Sequence, residues 1–477
     1  MSWNPDVISQ RHERKGRHEV PTSFELLLGI IDTTFFECFV EMVSEIRGRT
    51  RFGRPLVHSH AVIALVYFIN AFLAKSQSQA IGLLHHADTF EVLLTELRRK
   101  YPSDPLLGPE APYPTQSVIR HFKERVGPDE LRALREIFEV SASELANEMG
   151  LGTNSGTWLE PSRSASLYGD GVTIRALSKY GAGDDAFNPA TNRRQRRRHS
   201  TDAHTSTTGD GRKVFGHKFV LLSARTGNSH EEIILGLAGI ETLGQAERDK
   251  NPHEKRLAMP LVRNVVARGH RFAMLHYDKA LHSADVEECY RLGLHPMIGV
   301  NSKENKSTEK VPMGEYKTSK GPKVKVFAWQ GAACINDLNG KPIKLDASFL
   351  YPRMNRAGGT PYAEYPIPFG ANCDTRLWGA TFRMPMTSTK GTNLRRAEYI
   401  RPLAPGGQRW NALYSRRSAA ESLNSVLQRD LLPGLRARSL SSVHVEFDAL
   451  VWALGRNHRA HMIFQRRQQR SSSPPAA

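Results

Sequence analysis

Three acids carry the chemistry this sequence suggests: Asp170 in "LYGDGV", Asp278 in "LHYDKA" and Glu421 in "LYSRRSAAESLNSVLQRD". Carboxylates are hard oxygen donors, so two aspartates and a glutamate brought together would suit two divalent cations, Mg²⁺ first and Mn²⁺ as its substitute. Paired ions of this kind activate a water or hydroxyl and steady the leaving oxygen in phosphodiester cleavage. Arg193, Arg194, Arg196, Arg197 and Arg198 in "NRRQRRRHS", with Arg416 and Arg417 beside Glu421, supply cations suited to phosphates. A solvated loop is the alternative for the arginine run. Placed on one helix, Tyr414, Arg417, Glu421 and Gln428 fall on a stripe about 60° wide. Leu413, Ala420, Leu423, Leu427 and Leu431 form the adjoining apolar face. An ordinary surface pair is the alternative for Arg417 and Glu421, although arginine N-terminal to glutamate is the weaker order.

The whole chain agrees with a polyanionic partner. Its 477 residues carry a net charge of +18, which favours nucleic acid over an ordinary basic enzyme. No aromatic-interleaved RNA motif is present, so DNA is the expected partner. Hydrophobic content of 39% and aromatic content of 8% indicate a globular protein of two or three domains. Cys38, Cys289, Cys334 and Cys373 lie far apart without a CxxC pair, which argues against a zinc or disulfide framework and fits a reducing cytoplasm. The histidine pairs at 58–60 and 85–86 lack metal-ligand spacing and are read as surface or core residues. The polar, basic start has no apolar signal region. The run "AVIALVYFINAFLA" is too short to span a bilayer and is read as a core helix, so no membrane role is expected.

Helices are expected to fill residues 1–155. Within them "PTQSVIRHFKERVG" gives a short helix capped by Thr115 or Ser117 and ended at Gly127-Pro128. Ile119, Phe122 and Val126 share one face, which leaves Arg120, Lys123 and Glu124 outward. A basic helix between two others suits DNA reading, a plain bundle helix being the equal alternative. Strands follow: one ending near Asp170, then "RKVFGHKFVLLSAR" and "EEIILGLAGI". The clearest unit is a strand from Phe272 to His276 running into Asp278. A helix capped by Ser283 and closed by Gly293 comes next, then the strand "HPMIGV". Strand, helix and strand at this spacing imply a parallel crossover, with Asp278 at the carboxyl edge where open α/β sheets place their sites. Residues 301–325 carry seven lysines against three glutamates and lead into a β-rich insertion ending near 405. The tail "QRRQQRSSSPPAA" is expected to be disordered.

These residues resemble the DDE transposases of bacterial insertion sequences, in the branch whose third acid lies in a Tyr-x2-Arg-x3-Glu-x6-Lys helix. Tyr414, Arg417 and Glu421 match that spacing, while "GDG" and "HYD" match the contexts of the two aspartates. Gln428 stands where the signature has lysine, and "KALHS" follows Asp278 where many relatives have Gly-Tyr. The resemblance implies an α/β fold with a ribonuclease-H-like catalytic core, a mixed sheet flanked by helices. It divides the chain into a helical DNA-binding region (1–155), the first part of the core (160–300), the β-rich insertion (301–405), core helices carrying Glu421 (406–465) and a tail (466–477). It further implies that Asp170, Asp278 and Glu421 bind two Mg²⁺. Tyr414, Arg417, Gln428, Arg416, the 193–198 arginines, Arg120 and Lys123 would face double-stranded DNA, both transposon ends and target. A homodimer or higher assembly on DNA, associated with the bacterial nucleoid, is the corresponding expectation. A related nuclease without strand transfer, or a non-catalytic DNA-binding descendant, would share these features.

Overall fold

The computed structural model describes residues 20–48, 56–72, 77–153, 156–177, 185–188, 193–196, 200, 202–207, 213–239, 254–282, 284–299, 309–351, 360–388, 395–431 and 437–472. Seven helices open it: α1 (Ser23–Ile31), α2 (Thr34–Gly48), α3 (His60–Phe72), α4 (Gln77–Leu84), α5 (Ala87–Lys100), α6 (Gln116–Lys123) and α7 (Pro128–Glu148). The apolar run from residue 61 forms α3, buried from Ala61 to Ala71. Phe35, Phe36 and Phe39 pack their rings 5.5–5.9 Å from Phe68. Caps fix the boundaries: Thr115 accepts from the Val118 N–H at 3.5 Å, and the Gly127 N–H donates to Glu130 at 2.8 Å.

One expectation here is corrected. Lys123 does not face outward: it is 8% exposed and its ammonium donates to both carboxylate oxygens of Asp448 at 2.6 Å. Asp448 comes from the last helix, so a partner hundreds of residues away offsets the cost of burying the charge. Lys123 is therefore part of the packing between α6 and that helix, whereas Arg120 and Glu124 do face outward, loosely paired at 3.7 Å. Lys123→Met should leave Asp448 buried without a cation and lower unfolding free energy by about 3–5 kcal/mol. Chemical denaturation checks this; an unchanged midpoint would return Lys123 to the surface.

The central sheet is built from β1 (Ser166–Arg175), β2 (His204–Thr207), β3 (Lys213–Arg225), β4 (Glu232–Gly239), β5 (Met274–Tyr277) and β6 (His295–Ile298). Helix α8 (Lys255–Ala267) precedes β5, and α9 (Ala284–Arg291) links β5 to β6. The order is β6–β5–β1–β3–β2, with β4 on the same edge of β3 as β2. β3 is antiparallel to β1, β2 and β4, whereas β5 is parallel to both β1 and β6. The expected parallel strand–helix–strand unit is present, closed by Gly293 at φ +86°; Ser283 lies outside the described residues. Contrary to expectation, β1 does not end near Asp170 but continues five residues further, held by β3 as far as Arg175. The chain is thus α/β, with a mixed sheet flanked by helices.

The insertion forms two antiparallel sheets. The first comprises β7 (Val311–Lys317), β8 (Lys323–Trp329), β9 (Ala332–Asn336) and β10 (Pro342–Leu345); the second comprises β11 (Phe349–Tyr351), β12 (Tyr362–Pro366) and β13 (Thr381–Pro385). Three helices close the chain: α10 (Gln408–Tyr414), α11 (Ser418–Leu431) and α12 (Ser442–Ser472). The single helix expected across Tyr414–Gln428 is broken by a 3₁₀ turn at Ser415–Arg417. α12 guards the free edge of β4: the Asn457 side chain accepts the Ile234 N–H at 2.7 Å and donates to its carbonyl at 2.8 Å. The tail is ordered further than expected, because Arg466 and Arg467 tie α12 to Glu25 and Glu231 and carry the helix to Ser472.

Candidate functional site

Register brings the two aspartates together. β1 and β5 pair Tyr168 with His276, whose rings stack at 5.0 Å. Side chains of a strand alternate, so Asp170 and Asp278, each two residues further on, return to that same side. β5 ends at Tyr277, and its pairing with β1 covers only residues 166–168 of β1. Past Tyr168 the pairing of β1 with β5 stops, which leaves a notch at the carboxyl ends of two parallel strands before the Ala437 N–H donates to the Arg175 carbonyl at 2.7 Å. Asp278 turns into the notch with its carboxylate accepting the Ala280 N–H at 2.7 Å.

Glu254 is the third acid there. It precedes α8, which packs on the opposite side of the sheet to α11: Leu261 of α8 lies under Gly236, whereas Ala419 and Ala420 of α11 pack on Tyr168. Gly171 explains how Glu254 reaches across, since a β-carbon at that position would overlap the Glu254 carboxylate. Tyr277 donates its hydroxyl to Glu254 at 2.8 Å, and Lys218 of β3 pairs with its other oxygen at 2.9 Å. One oxygen from each of Asp170, Glu254 and Asp278 lies within 4.8 Å of the others.

The like charges oppose ionisation. Burial, then Glu254 and then Asp278, push the Asp170 carboxyl up to about 6, and burial followed by Glu254 also raises Asp278. The Arg417 guanidinium partly offsets both shifts. Three hard, half-buried oxygen donors whose charges repel make a donor set that fits a divalent cation. Gly171→Ala tests the approach of Glu254. It should lower Mn²⁺ affinity about tenfold or more, as when a group that orients a metal ligand is lost. Calorimetric titration reads this, and unaltered affinity would remove Glu254 from the site.

Glu421 stands beside this cluster rather than within it. Its side chain is 53% exposed and pairs with Arg417. Three residues on, Asn424 donates to Asp170 at 2.9 Å, so α11 does contact the acids, through the amide. Arg417 lies 5.9 Å from the Tyr414 ring, which stacks on Trp410 at 5.4 Å. Tyr414, Arg417 and Glu421 therefore adjoin, as their spacing predicts. Arg416 donates to the Pro161 carbonyl at 2.8 Å, and Gln428 is half-buried further along α11. Arg193, Arg194 and Arg196 lie on a strand paired with Asp185–Asn188, so the run is in part a β-ribbon rather than a loop. Their side chains, and all of Arg197 and Arg198, lie outside the described residues.

Sequence reasoning missed Glu254, Lys218, Tyr277 and Asn424. Only Asn424 had a usable signal, being one turn beyond Glu421 on the same helix. The four cysteines are free, and no helix among the described residues is long and apolar enough to cross a membrane.

The fold and the notch together define an α/β chain with a carboxylate cluster at the open end of a parallel strand pair. No family model and no curated protein matches the chain.

Proposed function

We propose that this chain is a metal-dependent transposase of the DDE kind, cutting element ends in double-stranded DNA and joining the freed 3′-hydroxyl to target DNA. The meeting of Asp170, Asp278 and Glu254 within 4.8 Å carries this reading. The strand order supports a ribonuclease-H-like core: three antiparallel strands, β4, β3 and β1, continue into the parallel pair β5 and β6. The β-rich insertion falls between that sheet and α11, where the resemblance puts it.

Asp170, Asp278 and Glu254 would hold Mg²⁺ or Mn²⁺, with Glu421 one helical turn from Asn424 as a further carboxylate. Bound there, divalent ions supply an activated water or 3′-hydroxyl and a Lewis acid for the leaving oxygen. Lys218 and Tyr277 orient Glu254, Ala280 orients Asp278, and Asn424 orients Asp170. Arg417, seated against Tyr414, offers a cation to a phosphate entering the notch. Arg120 and the 193–198 arginines are the further cations this reading assigns to DNA, and two DNA ends imply at least a homodimer.

The test is Mg²⁺-dependent cleavage of duplex DNA carrying the sequences that flank the gene. Activity that survives Asp278→Ala would overturn the reading. Pre-cut ends with free 3′-hydroxyls, supplied with a target plasmid, separate a transposase from a nuclease that never joins.

A further inference from the structure

The insertion exposes the Phe349 ring at the end of an aromatic row on a face opposite its own core. Strand alternation in β11–β13 sends Leu350, Ala363, Tyr365, Phe382 and Met384 into the core. Phe349, Tyr351, Tyr362 and Arg383 fall on the other face, where Phe349 is 54% exposed, Tyr351 half-buried and Tyr362 buried beneath it. Tyr351 and Tyr362 stack at 4.4 Å with their planes 14° apart, and the Phe349 ring lies 5.9 Å from Tyr351. Arg383 spans the two tyrosines at 5.7 and 5.2 Å, and Glu364 fixes it through a 2.9 Å hydrogen bond. A row of rings, continued at one end by an exposed Phe349 and edged by an arginine, is thus held ready on a rigid sheet.

Charge selects the occupant. Residues 309–388 contain eleven lysines and arginines against six acids, and a second exposed ring, Phe369 at 78%, carries Lys320 at 5.6 Å. An apolar protein partner would find cations around the rings, whereas a polyanion with flat apolar bases matches both features. Duplex DNA keeps its bases stacked inside, so only an unpaired stretch offers faces to Phe349 and Tyr351. We infer that the open face of β11–β13 binds single-stranded DNA by stacking bases on Phe349 and Tyr351, with Arg383 toward the backbone. This deepens the DNA-processing reading and rests on it for the choice of DNA, but needs neither the carboxylates nor metal.

The experiment is fluorescence anisotropy of the full chain in EDTA, with a labelled single-stranded oligonucleotide and the same sequence as duplex. Phe349→Ala combined with Tyr351→Leu should weaken single-strand binding about fivefold or more, the loss of one stacked base, and leave duplex binding unchanged. Tyr351→Trp, which keeps a ring, should bind as the wild type does. Thermal melting confirms that each variant is folded, and Phe349→Ala alone, at an exposed position, serves if the double variant is not. Equal losses for both DNA forms, no loss, or a changed oligomeric state by light scattering would overturn the inference. A wild-type chain that cleaves no duplex DNA with Mg²⁺ while its single-strand binding is intact would instead overturn the transposase reading and leave this one standing.

Discussion

Asp170→Asn is expected to abolish metal-dependent DNA cleavage and, in the same protein, to raise the melting temperature measured without metal. The two effects share one cause. Burial, Glu254 and Asp278 together push the Asp170 carboxyl up to about 6 from an ordinary 3.8. A carboxyl whose folded value is raised contributes stability that is fully present below the unfolded value. That contribution is lost as pH climbs through about 6, so at pH 7.5 the ionised group opposes folding. The penalty is on the order of 2–3 kcal/mol for a shift of this size. Asparagine removes the charge, keeps the shape and still accepts the Asn424 amide through its carbonyl oxygen. Mg²⁺ or Mn²⁺ should restore the balance in the wild type by binding only the folded state, so its melting temperature rises with metal and that of the variant does not. Cleavage should fall by at least about a thousandfold, the scale for removing a group that acts on transition-state charge. Below about pH 6 the wild type should also lose metal affinity as Asp170 takes up its proton. A metal-free variant no more stable than the wild type would show that the cluster is not under electrostatic stress.

What the sequence made legible was local. The strand–helix–strand around Asp278 announces itself through an apolar run, acids in the first turn of a helix and a glycine at its end, all within thirty residues. The glycines flanking Asp170 in "LYGDGV" are places where another group can come close, and Gly171 provides such an approach. What approaches was hidden: Glu254 sits in "NPHEK", with neither periodicity nor a motif, and gains its place only because β1 lacks a side chain where α8 begins. Lys123 shows the same limit from the other side. An eight-residue helix has little room to establish which face is inward, and Asp448, 325 residues away, decides it. The arrangement of Tyr414, Arg417 and Glu421 emerged from spacing because i,i+3 and i,i+4 neighbours meet even where a 3₁₀ turn interrupts the helix. Whether Glu421 joins the aspartates depends on how Arg417 is paired, which spacing does not reveal.

That pairing leads to the second large effect, a separation of Glu254 from Glu421. In the DNA-free protein the cluster consists of Asp170, Asp278 and Glu254, while Glu421 is occupied by Arg417 and half exposed to water. Mn²⁺ titration without DNA should therefore show Glu254→Gln weakening the ion by about 10–100-fold or more. Glu421→Gln should leave that affinity within about twofold, as expected for the loss of an exposed pair worth under 1 kcal/mol. Lys218→Met removes the cation that holds Glu254 at 2.9 Å and should weaken Mn²⁺ about tenfold too, as for other groups that orient a metal ligand. DNA changes the terms for Glu421, because a phosphate offers Arg417 a stronger partner than a solvated carboxylate does. Cleavage should then fail in Glu421→Gln as completely as in Glu254→Gln, despite its intact ion affinity in the free protein. Equal weakening of Mn²⁺ by both glutamine variants, before DNA is added, would mean that Glu421 already belongs to the cluster and that its pairing with Arg417 is not its resting state.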